Sequence, residues 1–179
     1  MLSVNQNMRF DQSIRVLKQI LDGGELGEVV FASITMHAIP HWQGFLEEYD
    51  RLTLANMSVH HLDVLRFLFG DRRRSSRQRE RIRRTQFEHE DGIVVSTLRF
   101  PRECSPCRSR TCGRVPRGGY DSDASITWRV EGTKGVAKGT IGWPTGEPST
   151  LTYSSTLTTG GRWVSRNGTR TGSPTPSSA

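Results

Sequence analysis

The spacing of apolar residues divides this chain into a helical first part and an extended second part. A first helix is predicted from an N-cap at Asp11 to the glycines at 23–24, because Asp accepts from free helix N–H groups and Gly tolerates the conformation that ends a helix. Its apolar stripe is Ile14, Leu17 and Leu21. A second helix is predicted over 52–69, ending at Gly70. Its predicted stripe is Leu52, Ala55, Val59, Leu62 and either Leu65 or Arg66.

The remaining patterned segments alternate like β-strands. They are residues 2–6, 28–37, 85–91, 92–100, 124–131 and 136–143. In 28–37 the predicted core face is Val30, Ala32, Ile34 and Met36. Asp91-Gly92 is a typical hairpin turn and predicts that its two flanking strands pair. The order predicts an α+β fold, with two helices packed on one face of a largely antiparallel open sheet.

The net charge of +7 on 179 residues comes from two short segments. Residues 72–84 hold eight Arg and one Glu, and residues 102–117 hold five Arg and one Glu, so the remainder is mildly acidic. Both segments lack the aromatic side chains that stack on bases, so nucleic-acid binding is the weaker interpretation. Their aperiodic Arg, Ser, Pro and Gly composition is typical of frameshifted GC-rich codons. We therefore expect that residues 72–84 and 102–119 each result from compensating frameshifts and interrupt the fold. A third frameshift is expected near residue 149.

The last part of the chain and the cysteines predict little chemistry. Residues 149–179 hold 15 Ser or Thr, which predicts a low-complexity tail, disordered from about Gly160. Cys104, Cys107 and Cys112 lack a fourth ligand at zinc spacing, so no metal site is predicted. No apolar run approaches the ~20 residues of a membrane helix, and residues 1–10 do not show the basic region and apolar stretch of a signal peptide. We therefore expect a soluble cytoplasmic protein.

Three polar residues of the second predicted helix could carry chemistry. Asn56, His60 and Asp63 are spaced i, i+4 and i+7, so they share a helix face. A carboxylate one turn from an imidazole can fix its tautomer and raise its pKa, as a proton-transferring histidine requires. Asn56 could hydrogen-bond a substrate oxygen. The alternative is that His60 and Asp63 are ordinary solvated polar groups. His61 points about 100° away from His60 and is expected to serve another purpose.

Two stretches carry a family resemblance. They read VNQNMRFDQSIRVLKQILDGGELGEVV and MSVHHLDVLRFLFGD. They resemble the entry into the substrate domain, and the histidine helix, of the glucose–fructose oxidoreductase/inositol dehydrogenase/rhizopine-catabolism (Gfo/Idh/MocA) family. Matches in His60, Asp63 and Gly70 support the second motif, whereas Asn56 stands where that family usually has Asp.

The resemblance implies an NAD(P)-dependent oxidoreductase acting on a sugar, polyol or related carbinol. It implies that His60 transfers the proton, that Asp63 supports it, and that Arg9 and Trp42 lie near the substrate. Asn56 cannot titrate, so the proton chemistry of the usual Asp is lost.

The resemblance also sets the expected domain limits. Residues 1–7 would be the remnant of a last Rossmann strand, 8–148 the substrate domain, and 149–179 the tail. The sequence contains no G-x-G-x-x-G phosphate loop, so the NAD or NADP site and the N-terminal Rossmann domain are expected to be absent and the chain inactive alone. The alternative function is a non-catalytic module that forms homo-oligomers or other interactions through the open sheet.

Overall fold

The strands form one open sheet with the helices on one side. The computed structural model describes residues 6–38, 44–71, 74–81, 90–100, 107–113, 124–142, 146–156 and 162–164. The described strands form an eight-stranded sheet in the order β2-β3-β4-β1-β5-β6-β7-β8. Of these neighbours, β1 and β4 are parallel and the other pairs are antiparallel. The predicted α+β class, with two helices on a largely antiparallel open sheet, is confirmed.

The bounds of the elements follow the chain. The strands are β1 (Val29–Ala38), β2 (Arg74–Glu80), β3 (Ile93–Arg99), β4 (Cys107–Gly113), β5 (Ser125–Gly132), β6 (Gly135–Ile141), β7 (Thr150–Ser155) and β8 (Arg162–Val164). The helices are α1 (Gln12–Asp22) and α2 (Val59–Phe69). Two 3₁₀ turns lie at Asn7–Phe10 and Gly44–Glu48, and a π-helical segment, Thr53–Ser58, leads directly into α2. The predicted strand at 2–6 lies outside the described residues except for Gln6, which is not in a strand.

Helix α1 begins and ends where its sequence predicts. The Asp11 side chain accepts a hydrogen bond from the Ser13 backbone N–H at 2.9 Å. The chain leaves the helix through Gly24, whose φ of +69° glycine adopts without strain. The residues buried against the sheet are Ile14, Leu17 and Ile20, with Val16 and Leu21 partly buried beside them.

A polar network joins the start of α1 to the sheet. The second carboxylate oxygen of Asp11 accepts a hydrogen bond from Ser149 Oγ at 2.6 Å. Ser149 Oγ in turn accepts from the Gly142 backbone N–H at 3.0 Å. Trp128 Nε1 of β5 donates to Ser13 Oγ at 3.2 Å. Ser13 therefore attaches the start of α1 to β5, and the N-cap residue Asp11 attaches it to the segment between β6 and β7.

Strand β1 shows a local departure from simple alternation. Ala32, Ile34 and Met36 are buried as predicted, but Val30 is 46% exposed. The pairing with β5 shifts register between Val29 and Phe31, which is a β-bulge. Because the bulge adds one residue on this strand, Val29 takes the buried place predicted for Val30.

The predicted stripe of the second helix is correct at Leu52, which is buried, but wrong at Ala55. Ala55 is exposed, whereas Met57 and Ser58 are buried. A π-helix hydrogen-bonds five residues apart, so its buried positions step from Leu52 and Thr53 to 57 and 58. The α-helical spacing returns only in α2, where Val64, Leu65, Leu68 and Phe69 are buried. Gly70, with a φ of +79°, ends the helix as predicted.

Asp91 does not act as a hairpin turn residue, so that prediction is wrong. Strand β3 pairs with β2, which lies in the first basic segment, and the predicted strand at 85–91 falls mostly on residues outside those described. The buried Asp91 carboxylate instead accepts hydrogen bonds from the Thr53 and Leu54 backbone N–H groups, at 3.0 and 2.8 Å. A residue 38 positions away thus supplies the cap that the first helical turn requires. Local turn statistics cannot contain this long-range contact.

The basic segments and the start of the tail were expected to be irregular, and this too is corrected. They contribute β2 and β4 to the sheet, and β7 and β8 lie within 149–179. Leu151 of β7 is only 1% exposed, since it packs beside β6 in the core. Alternating Thr residues suit a strand whose neighbour is already formed. The aperiodic composition therefore did not prevent strand formation at the described positions.

Removing the Asp91 cap should destabilise the helix that carries His60. Asp91→Ala leaves two N–H groups of the first turn unsatisfied in a buried position, and we expect a loss of about 1–3 kcal/mol in the free energy of unfolding. Urea denaturation measures this loss. Asp91→Asn, which keeps one acceptor oxygen, should lose less. An Asp91→Ala midpoint equal to that of the wild type would contradict the capping role.

Candidate functional site

The predicted polar face of the second helix is present in the structure. Asn56, His60 and Asp63 are all partly buried, on the side of the helix that lies away from its fully buried stripe. The 3₁₀ turn Asn7–Phe10 packs against α2 and brings Arg9 to Asp63. The structure therefore brings four of the predicted residues into one region. Trp42 lies outside the described residues.

Arg9 and Asp63 form a two-point ion pair. Arg9 Nε donates to Asp63 Oδ2 at 2.6 Å, and Arg9 Nη2 donates to Oδ1. The guanidinium carbon also lies 5.7 Å from the centre of the Phe67 ring, a cation–π distance. Hydrogen bonding to Asp63 raises the pKa of Arg9. The Asp63 side chain is 12% exposed and that of Arg9 34%, so the pair is shielded from water mainly on the carboxylate side.

The Arg9 pair changes the predicted role of Asp63. Both carboxylate oxygens bind Arg9, and no hydrogen bond joins Asp63 to His60 among the described residues. Asp63 therefore acts on His60 through its charge, while its geometry serves to hold the 3₁₀ turn against α2.

His60 is a partly buried imidazole whose pKa is lowered. Burial lowers the pKa, and the negative charge of Asp63, which raises it, is the smaller effect. The expectation that Asp63 raises the pKa of His60 above its ordinary value is therefore wrong in its net direction. His60 Nδ1 is shielded from solvent and has no hydrogen-bond partner in the described structure. A neutral imidazole offers one donor and one acceptor, so it can take up a proton at neutral pH.

Two amide side chains near this helix also hold unpaired polar atoms. Asn56 Nδ2, one turn before His60, is shielded from solvent and lacks a hydrogen-bond partner in the part of the chain that is described. Gln6 Oε1, directly before the 3₁₀ turn, is in the same condition. Buried polar atoms are rarely left unpaired in native proteins, so each such atom requires an explanation, and a role in binding or catalysis is one of them. Gln6 was not predicted, because a lone Gln carries no recognisable motif.

His61 was not predicted as a special residue, yet it is the most strongly perturbed base. It is completely buried in the stripe that faces the sheet. Burial, with a smaller contribution from the charge of His60, lowers its pKa to about 3. The sequence predicted only that His61 would face away from His60, because adjacent helix residues are about 100° apart.

The burial of His61 makes the stability of the fold depend on pH. Its pKa falls from 6.5 in the unfolded chain to about 3 in the fold, so between these values the unfolded state binds the extra proton. The stabilising effect is complete above pH 6.5 and is lost as the pH falls toward 3. We expect the free energy of unfolding to drop by about 1.4 kcal/mol per pH unit in this window. Urea denaturation at several pH values measures the slope.

Two matched variants identify the residue responsible for that slope. His61→Gln should flatten it, whereas His60→Gln should retain most of it, since the pKa of His60 is lowered less completely by its partial burial. An equal slope in His61→Gln and wild type would contradict this assignment.

The described residues do not fit a nicotinamide dinucleotide. A pyrophosphate is usually held by a glycine-rich turn and a free helix N-terminus. Here the N-terminus of α1 is capped by the Asp11 carboxylate, and that of the π-helical segment by the Asp91 carboxylate. Either carboxylate would repel a phosphate. None of the helices in the described ranges combines the length and the apolar composition of a membrane span.

The chain is similar to curated dehydrogenases over a limited stretch. D-apiose dehydrogenase of Rhizobium rhizogenes is 29% identical over 73 residues, which is 39% of this chain and 21% of the relative. Inositol 2-dehydrogenase 2 of Mycolicibacterium vanbaalenii is 36% identical over 72 residues, which is 40% of this chain and 20% of the relative. The matched stretches thus span about a fifth of the curated relatives.

The fold also matches solved structures. An oxidoreductase from Agrobacterium radiobacter, in complex with NAD+, L-tartaric acid and magnesium, superposes with a TM-score of 0.72 at 19% identity, over 90% of this chain and 44% of that one. Levoglucosan dehydrogenase, in complex with NADH and levoglucosan, superposes with a TM-score of 0.69 at 16% identity, over 92% of this chain and 47% of that one. At these identities the likeness shows the fold alone, and the chain spans less than half of each structure.

A family model covers most of the chain. The model describes the GFO/IDH/MocA C-terminal domain and matches residues 14–138. This range contains most of α1, the π-helical segment, α2 and the strands from β1 to most of β6, so it includes the whole helix that carries His60. The chain therefore belongs to the GFO/IDH/MocA family and corresponds to its C-terminal domain.

Proposed function

We propose that this chain forms the substrate side of an NAD(P)-dependent oxidoreductase that acts on a sugar, polyol or related carbinol. The observation that carries the proposal is the pair of shielded, unpaired polar atoms on one helix face, His60 Nδ1 and Asn56 Nδ2. The family and the sugar and inositol dehydrogenases among its relatives support the substrate class.

In this proposal His60 is the group that exchanges a proton with the substrate hydroxyl. Its lowered pKa keeps the imidazole neutral near pH 7, which is the form that a general base requires. Asn56 Nδ2 can donate a hydrogen bond to a substrate oxygen and so fix the hydroxyl beside the imidazole. Because Asn56 cannot titrate, His60 alone moves the proton.

Arg9 and Asp63 serve as positioning residues in the same proposal. Their ion pair ties the 3₁₀ turn Asn7–Phe10 to the helix one turn beyond His60. The Asp63 charge also limits how far burial depresses the pKa of His60. Asp63→Asn should therefore lower the pKa of His60 further, which a purely structural contact at this position would not require.

Hydride exchange needs a nicotinamide, and the described residues form no binding site for its dinucleotide. We therefore propose that a nucleotide-binding domain outside the described residues must be joined to this one for turnover. The test is a fusion of the nucleotide-binding half of a curated relative ahead of this chain, assayed for NAD+ and NADP+ reduction with a panel of sugars and polyols. The chain alone and the nucleotide-binding half alone are the controls.

The expected result is turnover by the fusion and by neither part alone. The fusion is first shown to be folded and to bind the nucleotide, by circular dichroism and by the quenching of protein fluorescence. A folded, nucleotide-bound fusion that oxidises none of the carbinols would contradict the proposal.

A second candidate function is a non-catalytic module that associates with a second copy of the chain. The observation that favours it is a depression of about 420 Å³ on the sheet face opposite the helices. Apolar side chains of Phe31, Ile93 and Val95 contribute to its lining. Sedimentation velocity of wild type and Phe31→Glu tests this candidate, since a dimer that the charge dissociates supports it and a monomeric wild type removes it.

A further inference from the structure

Among the described residues, β2 forms an edge of the sheet without a partner on its outer side. It pairs there with β3 alone, and the strand at the opposite edge, β8, has three residues against seven in β2. Residues 75–80 are all exposed. An edge strand carries a row of backbone N–H and C=O groups without a ladder partner, so it can accept one more strand.

The charges on this edge lie on one side of the sheet. Arg77 pairs in register with Ser96, and Arg79 with Val94, which are buried residues on the helix side. Neither Arg has an ion-pair partner among the residues that the structure describes, whereas Arg9, Arg66 and Arg129 do. On the opposite side, Gln78 and Glu80 line the depression described above.

This charge pattern disfavours pairing between two copies of β2. In an antiparallel pair centred on Gln78, Arg77 of one copy would lie opposite Arg79 of the other, and like charges in directly opposed positions are destabilising. The same pattern favours a strand with carboxylates at alternate positions, because each carboxylate would lie opposite one arginine. Charge complementarity therefore selects an acidic partner.

We propose that β2 is a docking edge for an acidic, extended segment of a partner protein, which adds to the sheet as a further strand. Backbone hydrogen bonds to the β2 edge would supply the alignment, and carboxylates opposite Arg77 and Arg79 would supply the selectivity. The residue between the two carboxylates would face the side of Gln78 and the depression. The recognised pattern is thus acidic, uncharged, acidic.

The probe is a fluorescein-labelled peptide of about seven residues, with glutamate at alternate positions and threonine or valine between them, matched to the length of β2. Fluorescence anisotropy measures its binding. We expect saturable binding that weakens with salt, since the contacts are exposed. A peptide with lysine in place of glutamate should not bind. A peptide with the same charges but N-methylated backbone amides cannot add as a strand. Its affinity should therefore be lower by a factor of about ten or more.

Variants of the chain locate the site. Arg77→Glu with Arg79→Glu should weaken binding about tenfold or more, because two attractions become repulsions. Arg15→Glu with Lys138→Glu changes the net charge equally at exposed positions elsewhere and should bind like wild type. If the double Glu variant fails to fold, Arg77→Gln with Arg79→Gln removes the attraction without adding like charge to the partner.

Two results would overturn the proposal. One is equal binding by the N-methylated peptide or by a single-stranded DNA oligonucleotide, which would show a general polyanion surface. The other is an equal loss of affinity in both charge-reversal pairs, which would show that net charge alone attracts the peptide.

Discussion

Gly139→Ala will strongly destabilise the fold. A Cβ at this position would overlap the Thr150 carbonyl oxygen and stand 2.5 Å from Cζ2 of the Trp128 ring. Gly139 pairs with Trp128 on β5 and with Leu151 on β7, so neither neighbour can retreat without opening the sheet. We expect the free energy of unfolding to fall by about 3 kcal/mol or more, measured by urea denaturation.

The neighbouring residue provides the control for that prediction. Lys138 is exposed on the opposite face of the same strand, so Lys138→Ala should change the stability by about 0.5 kcal/mol or less. Equal midpoints for Gly139→Ala and Lys138→Ala would contradict the close packing of β5, β6 and β7 at this point.

His60→Ala will lower the turnover of the active fusion by about two to four orders of magnitude. This is the usual contribution of a positioned general acid or base. The loss should fall on kcat at saturating substrate, because in the proposed mechanism His60 acts in the chemical step and Asn56 would still hold the substrate hydroxyl. The measurement is the steady-state rate of NAD(P)+ reduction with the best carbinol of the panel.

An exposed residue on the same helix separates catalysis from folding. Arg66 pairs with Asp71 on the outside of α2, and Arg66→Ala should retain the turnover of the unmodified fusion. Comparable thermal transitions in both variants show that the helix is intact. Unchanged turnover in His60→Ala would remove His60 from the proposed mechanism.

The sequence predicted the parts of the fold that local signals determine. The cap at Asp11 and the stop at Gly70 are short-range features, and both are confirmed. The alternation of residues 124–131 and 136–143 predicted two strands, and these are β5 and β6, which pair as neighbours in the sheet. The order of helices before strands was sufficient for the fold class.

The wrong predictions of the fold involve contacts between residues that are far apart in the sequence. The N-terminus of the π-helical segment is capped by Asp91. The pattern around Asp91 in the sequence had instead predicted a hairpin turn. The bulge at Val30 depends on the register of β1 against β5. Strand β2 forms because β3 offers it an edge, although its own sequence has no apolar alternation.

The candidate site was predicted in composition but not in its connections. The helical spacing placed Asn56, His60 and Asp63 on one face, and the structure keeps them partly buried there. The partner of Asp63 is Arg9, which is 54 residues earlier, so no spacing rule could identify it. The direction of the His60 pKa could not be predicted either, because it depends on how deeply the fold buries the ring.

The most direct test of the account is a nuclear magnetic resonance titration of the isotope-labelled chain with a polyol such as myo-inositol, up to about 10 mM, which is above the usual range of substrate KM. If this helix face binds the substrate, the His60 imidazole and the Asn56 side-chain amide will show saturable shifts, and Lys138 and Thr152 will be unchanged. Shifts confined to the open sheet face around Phe31 and Val95, or no shifts at all, would contradict the claim that this helix face binds the substrate.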